Sequence, residues 1–154
     1  MVLGRKALVA GGALMVLASV AVLIWRVYGG GPTRADPADP ELAALGKAVY
    51  AQHCAACHGG NLEGQPHWRE RLPNGRLPAP PHDSSGHAWH HPDKQLFEIT
   101  KNGLGSIVPG YESDMPAFKG TLSDHEVWAV LSFIESTWSP EIRQRQDRMS
   151  QRVY

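Results

Sequence analysis

Five consecutive residues, Cys54-Ala55-Ala56-Cys57-His58, constrain this chain more than any other stretch. Cys-x-x-Cys-His is the spacing by which a c-type haem is attached. Two thiols three residues apart can add across the vinyl groups along one edge of a porphyrin. The histidine next in line can then turn its imidazole onto the iron, for which it is a good ligand. The expected cofactor is one covalently bound haem c, with Cys54 and Cys57 as the attachment residues and His58 as the proximal axial ligand. A porphyrin is a large apolar body, so the rest of the chain would have to fold around it.

Other chemistries share part of this pattern. A Cys-x-x-Cys pair also occurs in thioredoxin-like redox sites and as half of a zinc site. Zinc would need a second ligand pair. No other cysteine exists, so its partners would come from His67, His82, His87, His90 and His91. A disulfide between Cys54 and Cys57 is open to an exported protein.

The start of the chain is apolar. Arg5 and Lys6 precede an apolar run over residues 7–25, which as a helix spans roughly 28 Å, close to the hydrocarbon thickness of a bilayer. A secretory signal usually has a shorter apolar core. Trp25 and Tyr28 stand where an interfacial aromatic belt belongs, and the basic pair places the N-terminus in the cytoplasm. Residues 1–28 are therefore expected to be an N-terminal transmembrane anchor. The following domain then lies on the periplasmic side of the inner membrane, where haem is joined to thiols. Residues 29–39 (GGGPTRADPAD) lack apolar periodicity and read as a flexible linker. Losing Arg5, Lys6 and Arg26 with the first 32 residues leaves 12 basic against 15 acidic side chains, a net of −3. That balance argues against nucleic acid as a partner, which calls for a clustered basic face.

Beyond the linker the patterns are helical. Asp39 as N-cap and Pro40 at the first position predict a helix over 40–53, with Leu42, Leu45, Val49 and Tyr50 on its apolar face. Gly46 interrupts good helix formers, which suggests a close helix contact. Residues 62–91 read as an irregular loop rich in Pro, Gly, His and Trp, of a length that suits wrapping around a macrocycle. Pro78, Pro80 and Pro81 leave carbonyls free, and one of them is expected to accept the second ring N–H of His58. A second helix is predicted from about 92 to 102, with Leu96 and Ile99 inward. The last main helix is the best specified. Ser123 and Glu126 form a capping box, Leu122 and Val127 a hydrophobic staple, and Val127, Val130, Leu131, Ile134 and Trp138 follow at helical spacing. Residues 139–154 read as a polar tail with four arginines, leaning to a short surface helix.

Met115 is the candidate sixth ligand. It stands in a loop 57 residues after His58, and Pro116 stiffens the backbone behind it. Lone methionines usually fill cores. Rival ligands are His82, His87, His90 and His91, or an open sixth position. These histidines otherwise read as surface or propionate-side hydrogen-bonding groups, and a second metal such as copper in the His87/His90/His91 cluster is a lesser alternative.

Residues 40–138 resemble a class I, mono-haem cytochrome c domain of the bacterial kind. The resemblance rests on Gly46 and Tyr50, the CAACH at 54–58, Met115-Pro116-Ala117-Phe118, and Leu122-Ser123-Asp124. It implies an all-α cytochrome c fold with three main helices around the haem, preceded here by the transmembrane helix. It also implies that the first and last helices cross near Gly46, against Val130 and Phe133. The function it implies is electron carriage by a His58/Met115-ligated haem, with no catalytic residues and no small-molecule substrate. Expected partners are the membrane and redox proteins such as a terminal oxidase or a dehydrogenase. The alternatives are a haem-bearing accessory or sensor subunit of a larger redox complex, and a ligand-binding haem enzyme with an open iron site.

Overall fold

The computed structural model describes Ser19 and residues 31–152. The predicted transmembrane helix falls outside the described residues. Among those described, no helix is long and apolar enough to cross a membrane.

From Pro32 onward the chain forms one compact unit, and among its described residues it holds helices and no strand. Helix α1 is Pro40–His53, α2 is the single turn Ala55–His58, α3 is Asp93–Asn102, α4 is Asp124–Ser136 and α5 is Pro140–Ser150. Short 3-10 turns occupy Ala88–His90 and Leu104–Ser106.

The ends of α1 follow from its sequence. The Asp39 carboxylate accepts from the N–H groups of Glu41 and Leu42, two of the donors that a helix start leaves unpaired. Leu42, Gly46, Val49 and Tyr50 are buried and form the face that meets α4. At the crossing the backbones nearly touch. A Cβ built on Gly46 would overlap the Ala129 carbonyl and lie 2.9 Å from the Phe133 Cβ. Glycine is what permits this approach, and the Tyr50 and Phe133 rings pack 5.5 Å apart beside it.

Helix α4 is the spine. Its capping box is complete, with Ser123 Oγ accepting from the Glu126 N–H at 3.2 Å and the Glu126 carboxylate accepting from the Ser123 N–H at 2.8 Å. Val127, Trp128, Ala129, Val130, Leu131 and Ile134 are all buried, so the helix is covered on most sides. Val127 and Val130 are 0% and 1% exposed, each worth roughly 1.5–3 kcal/mol of burial. Helix α3 reaches α4 through Phe97, whose ring stacks on Trp128 at 4.4 Å. Leu96 packs on the core as expected and Ile99 is half-buried, whereas the buried positions of α3 are the polar Asp93 and Thr100.

Two stretches are more closely held than their composition suggests. Within the segment read as linker, Ala35 is buried and the Asp36 N–H donates to Ser132 Oγ at 2.9 Å. The polar tail forms α5, capped by Ser139, and it packs by hydrogen bonds. Gln146 is 1% exposed and donates to the Asp93 carboxylate and to the His91 carbonyl. Ser150 Oγ accepts from the Asp93 N–H at 2.9 Å and donates to its carboxylate at 2.8 Å. Contacts of this kind leave no hydrophobic period to read.

Candidate haem site

The motif sits where α1 ends. Cys54 caps α1, its N–H bonding the Tyr50 carbonyl, and a single helical turn then carries Cys57 and His58. Gly59, at φ 82°, breaks that turn. Tyr50, one turn before Cys54 on the buried face, clamps the far end. Its hydroxyl donates to the Gly59 carbonyl at 2.9 Å and to the His58 carbonyl at 3.3 Å. Burial, then the neighbouring Cys54, Glu63 and Asp83, push the Tyr50 pKa upward, so the phenol remains a donor. Nothing in the motif itself announces this clamp. The spacing of Tyr50 to Cys54 on one helix face is the signal that finds it.

His58 is 6% exposed, and its Nδ1 lies 2.8 Å from the Pro80 carbonyl. A carbonyl only accepts, so Nδ1 carries the proton and the Nε2 lone pair is left for a metal. Of the three prolines considered, Pro80 is the one that supplies the acceptor. Burial lowers the His58 pKa, with the Pro80 bond partly opposing, and the ring is held in the neutral form that ligates.

Both cysteines are free thiols, Cys54 buried and Cys57 exposed. Burial first, then Cys57, pushes the Cys54 thiol up to about 11. Among the described residues, no three or more His, Cys, Asp or Glu side chains gather as a metal ion requires. The donors fit haem c: two thiols bonded to carbon, and one imidazole with its outer nitrogen already committed.

The rival histidines make ring contacts with their neighbours, His91 meeting the His87 ring edge-on at 5.4 Å. His82 stacks face to face on His58, with ring centroids 3.9 Å apart at 18°. Two ligands on opposite sides of one iron point their ring edges at it, which this stacking does not allow. His87 stacks on Trp68 at 5.3 Å, and His90 on Trp89 at 3.7 Å. Met115 is half-buried and packs on the same core cluster as Cys54. Its loop is pinned on both sides. Arg76 pairs with Asp114 and, at 3.4 Å, with Glu112, tying residues 112–114 to the long loop. Downstream, Phe118 and Lys119 donate backbone bonds to the Thr100 and Lys101 carbonyls of α3 at 3.1 and 2.8 Å.

The family described as cytochrome C oxidase, cbb3-type, subunit III matches residues 41–134, more than half of the chain. The chain belongs to this family. It is thereby a class I c-type cytochrome, a haem-based carrier of electrons with its haem c bound covalently. No curated protein and no solved structure matches it. In this cytochrome the matched span runs from α1 to α4 and covers the CAACH motif, the loop that supplies Pro80, and Met115. Helix α5 lies beyond it.

Proposed function

We propose that this cytochrome carries single electrons on one haem, held by thioethers at Cys54 and Cys57, with His58 Nε2 and Met115 Sδ as the axial ligands. The observation that carries this reading is the His58 tautomer. The Pro80 carbonyl holds the proton at Nδ1, beside two thiols with no disulfide between them. When bound, the haem supplies one-electron exchange at its iron. The protein's residues do the rest. Pro80 keeps the Nε2 lone pair available, Tyr50 holds the motif backbone, and the buried core excludes water. Met115 offers a soft sulfur that favours the ferrous state and raises the potential relative to two histidines. Met115 would hold the iron with His58 and would leave no position open for a substrate, which fits a carrier in place of an enzyme.

Residues 1–28 serve as a single-pass anchor in the inner membrane, with the domain in the periplasm. The support is the apolar run 7–25 behind Arg5 and Lys6. The partner is a terminal oxidase or another redox complex such as a dehydrogenase, and the family description favours the oxidase. Encounters between redox proteins use small interfaces, and a tether offsets weak docking by raising the local concentration.

The test is an optical spectrum of ferric and ferrous protein, including the far-red sulfur-to-iron charge-transfer band. Covalent haem is expected, with the band present in wild type and absent in Met115→Ala. That variant should also bind carbon monoxide or cyanide and show a lower potential. A band that survives in Met115→Ala removes Met115 from the iron. Recovery of the mature protein in the soluble periplasmic fraction would remove the anchor.

A further inference from the structure

One tripeptide supplies both a hydrogen-bond acceptor and a stacked ring to His58. Pro80 supplies the carbonyl that accepts from Nδ1. His82, two residues on, lays its imidazole flat on the His58 ring at 3.9 Å and 18°. Pro81 between them fixes its own φ and so narrows how the two groups are presented. A single hydrogen bond holds one atom of a ring and leaves it free to tilt about that point. A flat ring on its face removes that freedom.

The tripeptide is itself held from several sides. The His82 N–H donates to the Leu62 carbonyl at 2.8 Å, and its carbonyl accepts from the Trp138 indole N–H at 2.8 Å. Gly64 and Gly86 approach the backbone of Pro81 so closely that a Cβ on either would overlap it. The Tyr50 and His82 rings meet edge-to-face, with centroids 5.9 Å apart. Leu62, which supplies the carbonyl, is a buried non-glycine residue at φ 69°. Backbone strain of this kind persists where the surroundings impose it.

His82 makes no use of its own Nδ1 here. That atom is shut away from solvent and has no hydrogen-bond partner among the described residues. Its contact with His58 is made through the ring face. We propose that His82 is a positioning residue, which fixes the plane of the His58 imidazole and so the orientation in which that ring meets the iron. Groups behind a metal-bound histidine commonly set ring orientation, through a hydrogen bond. Here a stacked ring adds to the hydrogen bond that His58 donates to the Pro80 carbonyl. The proposal rests on the reading of His58 as the proximal ligand.

The experiment compares His82→Phe, His82→Leu and wild type as full-length, haem-loaded protein. Phenylalanine keeps a flat face, whereas leucine has none. The readouts are the haem-methyl resonances in the ferric proton NMR spectrum and the reduction potential. Both respond to the plane of the axial imidazole, and a general loss of stability alone would not reorder the methyl resonances. His82→Leu should shift the methyl resonances and change their order or spread, with a shifted potential. His82→Phe should restore the wild-type pattern. A wild-type pattern in His82→Leu overturns the proposal, as does a pattern in His82→Phe that departs from wild type as far as the leucine variant does. Should His82→Leu not accumulate as holoprotein, His82→Phe still decides, since loss of the wild-type pattern there refutes the role of the flat face. Failure of the underlying reading looks different: His58→Ala would keep the wild-type haem spectrum, or no covalent haem would be found.

Discussion

Replacing Gly46 with alanine tests the helix crossing that organises the domain. The new Cβ would lie 2.5 Å from the Ala129 carbonyl carbon and 2.9 Å from the Phe133 Cβ. Carbon atoms settle at about 3.5 Å or more, so α1 and α4 would have to part by about 1 Å. The obstructing carbonyl is backbone inside a buried helix, so no side chain can swing aside. Overpacking of a tight core costs up to about 3 kcal/mol or more. Alanine gains about 1 kcal/mol in helix propensity over glycine. The net expectation is a loss of about 2 kcal/mol, which for a domain of this size lowers Tm by about 8 °C. Thermal and urea denaturation of the haem-loaded protein would measure it. The Tyr50 clamp lies one turn along the same face, so the haem absorption should broaden as well. Equal or greater stability in Gly46→Ala would refute the reasoning, because the propensity gain would then stand unopposed and the helices would not meet there.

Two further predictions concern polar groups in the core. Gln146→Ala removes a donor from the buried Asp93 carboxylate and should cost about 1–3 kcal/mol, with faster proteolysis of α5; a loss within the range of surface substitutions would show that this helix does not hold on through Gln146. Glu135 is 2% exposed with Oε1 unpartnered among the described residues, and burial, then Asp93, Asp147 and Asp36, raises its pKa well above the usual carboxylate range. A raised folded-state pKa stabilises the fold below the ordinary carboxylate range, and that contribution is lost as pH rises toward the raised value. Urea denaturation over this window should show wild-type stability falling with pH and Glu135→Gln holding flatter, and parallel curves would refute it.

Much of this protein is local and so is legible in its sequence. Caps, glycine stops and apolar spacing depend on residues within a turn of each other. That is why α1 begins at Asp39-Pro40 and α4 behind Ser123 and Glu126, as the patterns predict. Gly46 signals the crossing because a glycine among helix formers asks for a reason. The CAACH motif is equally local: three reactive side chains within five residues state their chemistry before any folding.

What only the tertiary structure decides lies between residues far apart in the chain. Three prolines offer a free carbonyl, and the path of the long loop selects Pro80. Five histidines stand between residues 67 and 91, and packing places His82 on His58 while Trp68 and Trp89 take His87 and His90. Helix α5 and the segment around Ala35 attach through Gln146, Ser150, Asp36 and Ser132, whose polarity reads as solvent exposure in a linear pattern. A hydrogen bond across 50 or more residues leaves no periodic trace, because its two ends are brought together only when the intervening chain has folded.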